Sequence, residues 1–174
     1  MTEQQKIKKE NLSWQEYFMG LAVFTSFRSK DPSSKVGAVI VDPNNHIVGT
    51  GYNGFVAGID ETKFSWDREG DFLNTKYPYV VHAEANALIN STKADLTGCS
   101  VYVTLAPCNE CAKLIAQKGI KKVYYLLDKY PDVDTFVAAK RIFDIKGIEY
   151  EQFAMDNLHK ILDYFKDYYP ENIK

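Results

Sequence analysis

Residues 101–111, Val-Tyr-Val-Thr-Leu-Ala-Pro-Cys-Asn-Glu-Cys, decide how the rest of the chain is interpreted. The β-branched and aromatic residues at 101–105 predict a strand, and Pro107 is typical of the start of a helix. Cys108 and Cys111 then fall in the first turn of that helix, where both sulfurs face one point. The stretch therefore joins a buried strand directly to two side chains that can bind a metal.

A second stretch, His82-Ala83-Glu84, adds an imidazole and a carboxylate at the start of another predicted helix. A structural zinc site normally has four protein ligands, whereas a catalytic site has three and leaves one position for water. The chain has only three Cys and three His, so further ligands are scarce. We expect His82, Cys108 and Cys111 to bind one zinc ion whose fourth position is open for chemistry.

Glu84 is expected to act beside the metal without binding it. At about 100° per residue on a helix, Glu84 and His82 point in different directions. Glu84 can then take a proton from water at the open position and pass it to a substrate. A structural zinc site and a redox pair remain alternatives, which the scarcity of other ligands and the Pro before the first Cys disfavour.

Composition excludes several classes of protein. A net charge of −2 in 174 residues and a pI near 5.9 give no electrostatic footprint for a nucleic acid polymer. Three Cys do not form a disulfide framework. The polar residues 1–11 lack the apolar core of a signal peptide, and no apolar run is long enough to span a membrane. We therefore expect a cytoplasmic protein.

The predicted elements alternate in the way that an α/β protein requires. We expect one domain over residues 1–174, with residues 1–11 flexible and a last helix over residues 155–168. The predicted order is a helix at 13–29, strands at 36–41 and 46–52, a helix at 80–92, a strand at 101–105, a helix from 107, a strand at 121–127, a helix at 134–145 and a strand at 148–153. This order predicts a three-layer α/β/α sandwich with a five-stranded mixed sheet whose later strands are parallel.

Two loops stand out. Residues 28–35 contain three cations and are either a solvated connector or an anion site. Residues 55–79 lack periodicity and are long for a loop in a compact domain, which is typical of a lid, a binding loop or a subunit contact.

The pattern His-x-Glu followed by Pro-Cys-x-x-Cys is the signature of zinc-dependent nucleotide deaminases. Further stretches resemble the deoxycytidylate deaminase family in particular. They are residues 14–20, 28–38, 51–54, 74–79, 107–115 and 128–130.

The resemblance implies hydrolysis of dCMP to dUMP and ammonia, which supplies thymidylate synthesis. It implies one zinc ion (Zn²⁺) per subunit on the three ligands named above, with Glu84 catalytic. It also implies that Asn53 bonds the sugar and that the backbone of Ala106 accepts from the amino group of the base.

Members of the family are commonly hexamers that dCTP activates and dTTP inhibits. The resemblance places that effector site around Gly51, Tyr52 and Gly54. Val56 stands where the family often has Pro, a departure in the loop that follows these residues.

The phosphate of the substrate needs cationic or hydrogen-bonding partners. The candidates from sequence are Arg28, Ser29, Lys30 and Asn86. Two other functions stay open at this stage. One is deamination of another cytosine or adenine nucleotide, including adenosine in tRNA, and the other is a DNA-uptake accessory role like that of competence proteins.

Overall fold

The computed structural model describes residues 12–154, which form seven strands and four α-helices. The helices are α1 (Trp14–Ser26), α2 (Ala83–Ile89), α3 (Asn109–Gln117) and α4 (Asp134–Lys146). The strands are β1 (Gly37–Val41), β2 (Ile47–Tyr52), β3 (Gly54–Phe55), β4 (Val80–Val81), β5 (Ser100–Leu105), β6 (Lys122–Leu127) and β7 (Glu149–Gln152).

Five strands form one mixed sheet in the order β2-β1-β5-β6-β7. β1 pairs antiparallel with both β2 and β5, whereas β5, β6 and β7 are parallel. β1 is buried along its whole length, as its run of β-branched residues predicts. The predicted five-stranded mixed sheet with parallel later strands is confirmed.

Helices cover both faces of this sheet. On one face, Phe18, Met19 and Ala22 of α1 pack against a cluster that includes Val39 and Tyr102. On the other face, α2, α3 and α4 enclose the larger core, in which the side chains of β1, β5 and β6 are buried. The predicted three-layer α/β/α sandwich is therefore confirmed.

The first helix begins as predicted and ends early. Ser13 and Glu16 form a capping box, in which the Glu16 N–H donates to Ser13 Oγ at 3.2 Å and the Ser13 N–H donates to Glu16 Oε2 at 2.8 Å. The helix stops at Ser26, not near Ser29. Its aromatic face is only partly buried, because Phe18 is in the core while Trp14 is exposed.

The second predicted helix is shorter than the 80–92 expected from periodicity. Val80 and Val81 form β4, which pairs antiparallel with Gly54 and Phe55 of β3. α2 begins only at Ala83 and ends at Ile89, whose side chain is exposed. Because Val80 and Val81 pair with β3, the first two residues of the predicted helix form a strand instead.

The chain between β3 and β4 is an irregular loop, as predicted. Within residues 56–79 it contains two short 3₁₀ turns, Glu61–Lys63 and Phe72–Asn74. Phe64 packs on Phe55 and Tyr79, with ring centroids 5.7 and 4.5 Å apart, and Trp66 lies 4.2 Å from Phe55. An aromatic cluster at the base of the loop therefore holds it against the ends of the two strands.

Two of the predicted regions, residues 1–11 and the helix at 155–168, lie outside the described residues. Within residues 12–154, no helix is both long and apolar enough to cross a membrane.

α2 lies directly against the backbone of β2. A Cβ atom on Gly51 would sit 2.2 Å from the Ala87 nitrogen and 2.4 Å from the Ala83 oxygen. Both are backbone atoms of α2, so neither can move aside without moving the helix. The absence of a side chain at residue 51 is therefore a condition for the position of α2.

We expect Gly51→Ala to lower the free energy of unfolding by about 2–3 kcal/mol, because the added methyl group overpacks the contact with α2. Urea unfolding followed by circular dichroism measures this. Gly54→Ala is the matched control, since a Cβ there would meet only a ring carbon of Tyr52 at 3.9 Å. Equal stability of the Gly51→Ala variant and the control would contradict the packing argument.

Candidate active site

The predicted ligands meet where two helices begin. His82 is the N-cap residue of α2 and follows β4, and Cys108 is the N-cap residue of α3 and follows β5. Both were predicted within the first helical turn and instead lie immediately before it. Cys111 is in the first turn of α3 and is buried. The Nδ1 atom of His82 lies 3.5 Å from the Cys108 sulfur and 3.4 Å from the Cys111 sulfur.

This spacing fits zinc. Zinc bonds of about 2.05 Å to nitrogen and about 2.3 Å to sulfur, at a tetrahedral angle, place nitrogen and sulfur about 3.5 Å apart. Within residues 12–154, these three side chains are the only group whose donor atoms lie close enough together for a metal ion. The donor set of one imidazole and two thiols is also one that zinc prefers. The residues present therefore fit one zinc ion with three protein ligands.

Hydrogen bonds among the ligands favour the metal-binding form of Cys108 and the protonated forms of His82 and Cys111. Hydrogen bonds, first from Cys111 and then from His82, lower the pKa of the Cys108 thiol to about 4. The pKa of His82 is raised to about 9, mainly by its hydrogen bond to Cys108. The pKa of Cys111 is raised because its thiol donates to Cys108 and is buried. Cys108 is therefore a thiolate, and a metal competes with protons for the other two ligands.

Glu84 is in the first turn of α2 and is only 4% exposed. Burial is the main reason why the pKa of its carboxyl group is raised. The carboxylate is not part of the three-ligand group but lines the same cavity as His82 and Cys108. A buried carboxyl group with a raised pKa beside a metal site can both accept and return a proton.

The cavity in front of these residues has a volume of about 760 Å³, within the range of small-molecule sites. Asn53 and Ala106, the two predicted contacts to the sugar and the base, are among the residues that line it. Its apolar wall comes from five different parts of the fold. That wall includes Val36, Phe72, Val80, Leu105 and Phe136.

The four phosphate candidates are not among the residues that line this cavity. Lys30 pairs with Glu61 at 2.9 Å on the surface. The hydroxyl of Ser29 accepts from the Asp31 N–H at 3.2 Å. Asn86 donates to the carbonyl oxygen of Tyr52 at 2.8 Å and so joins α2 to β2. Arg28 is exposed at the end of the turn after α1.

The three effector candidates lie on the β2 side of α2. Gly51 and Tyr52 end β2, and Gly54 begins β3. None of the three lines the cavity that contains His82 and Glu84.

Several polar residues that line the cavity were not among the predicted site residues. Lys76 and Asp31 line it and form a buried ion pair at 2.5 Å. Arg68, Tyr77 and Tyr130 also line it, and Arg68 Nε donates to the Tyr77 hydroxyl at 3.3 Å. Lys76, Tyr77 and Tyr130 fall in the stretches 74–79 and 128–130, which resemble the family. This resemblance was the sequence signal that could have identified them as site residues.

Comparison with known proteins agrees with this geometry. The family described as the cytidine and deoxycytidylate deaminase zinc-binding region matches residues 12–127. The chain therefore belongs to this family of zinc-binding deaminases, and it is a hydrolytic deaminase enzyme with one catalytic zinc ion.

Several individual proteins are similar to this chain over most of its length. Deoxycytidylate deaminase from Pongo abelii is 48% identical over 160 residues, which cover 91% of this chain and 90% of that protein. ComE operon protein 2 from Bacillus subtilis is 35% identical over 86% of this chain and 76% of its own length. The dCMP deaminase of the cyanophage S-TIM5, in complex with dCMP and dUMP, matches with a TM-score of 0.62 and 30% identity, over 88% of this chain and 99% of that chain.

We expect Cys111→Ala to lose the zinc ion, because two remaining protein ligands hold zinc far more weakly than three. Cys99→Ala is the matched control, since Cys99 is also a buried free thiol but lies outside the ligand group. Atomic emission on purified protein should find about one zinc ion per chain in the control and well below half of that in Cys111→Ala. Full zinc content in the Cys111→Ala variant would contradict the ligand assignment.

Proposed function

We propose that this protein catalyses the hydrolytic deamination of dCMP to dUMP and ammonia. The observation that carries the proposal is the arrangement of His82, Cys108 and Cys111 at zinc spacing, with the buried Glu84 facing the same cavity. The similarity to deoxycytidylate deaminases over nine-tenths of the chain supports the choice of substrate. The product would then supply thymidylate synthesis.

The proposed chemistry divides between the metal and one side chain. Zinc, when bound, supplies Lewis-acid activation of water near neutral pH. Glu84 takes one proton from the attacking water and delivers it to the ring nitrogen N3, where it stays. Glu84 then takes the second proton from the hydroxyl group on C4 and delivers it to the departing amino group. The carbon–oxygen bond forms at C4 of the base, the C4–amino bond breaks, and the nitrogen leaves as ammonia.

The base and the sugar would contact residues at the end of β5 and after β2. Ala106 is 6% exposed, and its N–H donates to the Leu127 oxygen at 2.8 Å. Its carbonyl oxygen is the group that would accept from the amino group of cytosine. Asn53 is 5% exposed and lines the same cavity, where it would contact the sugar.

For the phosphate, we propose Arg68 as the contact in place of the cluster at Arg28. A guanidinium group matches the geometry of a phosphate, and Arg68 lines the cavity, whereas Arg28 does not. A hydrogen bond to Tyr77 is the main cause that raises the pKa of Arg68, so its charge persists. The hydroxyl of Tyr77 accepts from Arg68 and keeps its own proton for a phosphate oxygen.

We also propose regulation by dCTP and dTTP around Gly51, Tyr52 and Gly54, a hexameric assembly and a cytoplasmic location. The family resemblance supports the first two points, and three cysteines without a disulfide framework favour a reducing compartment for the third. Adding dCTP or dTTP to the deaminase assay, and light scattering of the purified protein, address the first two.

We expect Glu84→Gln to reduce ammonia release from dCMP by about 100- to 10,000-fold, because the amide cannot carry the proton. Zinc content should stay at the wild-type value, since Glu84 is not a ligand. Ammonia release and zinc are measured on the same preparation. Retained activity in the zinc-loaded Glu84→Gln variant would contradict the role of Glu84 in proton transfer.

We expect Arg68→Ala to lower kcat/KM for dCMP by about 100-fold, because a charge-assisted hydrogen bond to the phosphate is lost. Activity on deoxycytidine, which has no phosphate, should change by less than about threefold. Arg28→Ala is the matched control and should affect neither substrate.

The effects of these two substitutions decide which residue contacts the phosphate. A loss confined to dCMP in Arg28→Ala would restore the sequence-based candidate. Equal losses on dCMP and deoxycytidine in Arg68→Ala would remove Arg68 from phosphate binding.

A further inference from the structure

Asp31 is a buried carboxylate at the wall of the cavity. It is 1% exposed, and its Oδ1 atom accepts from the N–H groups of Ser33 at 2.8 Å and Ser34 at 3.1 Å. Its Oδ2 atom accepts from Lys76 Nζ at 2.5 Å and from Asn53 Nδ2 at 3.2 Å. Asp31 therefore connects the long loop that carries Lys76 to the amide of Asn53.

The contacts of Asn53 use nearly all of its hydrogen-bonding capacity. Its two amide protons go to Asp31 Oδ2 and to the Ser34 carbonyl oxygen, the latter at 2.9 Å. Its Oδ1 atom accepts from the Val36 N–H at 2.8 Å. An amide oxygen can accept two hydrogen bonds. One lone pair of Oδ1 is therefore the group that Asn53 has left for a ligand.

The carboxylate of Asp31 fixes which way this amide faces. Turning the amide by half a rotation would place its oxygen against Asp31 Oδ2 and its NH₂ group against the Val36 N–H. Both contacts would be repulsive, because each would join two acceptors or two donors. Lys76 in turn compensates the charge of Asp31, since a carboxylate buried without a partner is strongly disfavoured.

We propose that Asp31 and Lys76 are positioning residues that orient Asn53, so that its oxygen accepts a hydrogen bond from the 3′-hydroxyl of the substrate. The inference rests on the proposed deamination of dCMP. Asp31 acts through Asn53 and does not itself touch the sugar. A ligand with a hydroxyl donor at that position gives Oδ1 its second hydrogen bond, and one without it leaves only the bond from the Val36 N–H.

The test compares dCMP with 2′,3′-dideoxy-CMP, which lacks that hydroxyl. Wild-type protein should favour dCMP in kcat/KM by about 10-fold, the loss of one hydrogen bond to a buried oxygen. Asp31→Asn should bring this ratio close to one, because its NH₂ group opposes that of Asn53 and frees the amide to turn. A purely structural role would lower both activities equally and leave the ratio at the wild-type value, which would overturn the proposal.

Asp42→Asn is the matched control. Asp42 is also buried, pairs with Lys93 at 2.5 Å and accepts from the N–H groups of Asn44 and His46. It does not line the cavity. Its substitution should lower stability in a similar way and keep the preference for dCMP.

A second variant covers the case in which Asp31→Asn does not fold. Asp31→Asn combined with Lys76→Met removes both charges, so that no unpaired ion stays buried, and should also lose the preference. The inference would be overturned if the wild-type protein used dCMP and 2′,3′-dideoxy-CMP equally well, or if the double variant kept the wild-type preference for dCMP. In both cases turnover of dCMP by the wild-type protein would still support the proposed function. A wild-type protein without dCMP turnover would overturn the proposed function and, with it, this inference.

Discussion

The close contact between α2 and β2 is the constraint on which the site depends. α2 carries Glu84 and begins directly after His82, so any shift of this helix moves both groups relative to the cysteines of α3. Gly51 allows the two backbones to touch, and a Cβ there would lie 2.2 Å from the backbone of α2. Asn86 of α2 adds a hydrogen bond to the Tyr52 oxygen across the same contact. The metal site is therefore set by backbone packing as much as by the ligands themselves.

The chemistry of the ligands could be predicted from sequence because it is a property of spacing. Two cysteines three positions apart at a helix start converge under any packing of that helix. His82 lies in the ligand cluster as predicted, although the predicted limits of its helix were wrong. Those limits depend on the pairing of Val80 and Val81 with Gly54 and Phe55, residues far apart in sequence. Local periodicity contains no information about a ladder of this kind.

The other residues that line the cavity were harder to predict, for a different physical reason. Arg28 and Lys30 are neighbours in sequence, yet the structure uses Lys30 in a surface pair with Glu61 and leaves Arg28 away from the cavity. Lys76 and Arg68 reach the cavity from an irregular loop, whose course no periodic pattern describes. Asp31 lies in the same short segment as Arg28 and Lys30, but only the folded chain shows that it is buried. Which charged residues line the cavity could therefore not be predicted from their neighbours in the sequence.

The pairing of β3 with β4 separates the loop that forms part of the cavity wall from the elements that hold the metal ligands. Evolution can therefore change the loop without changing the metal site. The pairing closes the loop at residues 56–79 at its base, next to His82. Doubling the length of a closed loop costs only about 0.6 kcal/mol in chain entropy. Insertions and deletions can therefore remodel the cavity wall while the metal ligands stay where the sheet and the helices hold them. A family built in this way can acquire new substrates through one loop and inherit its reaction unchanged.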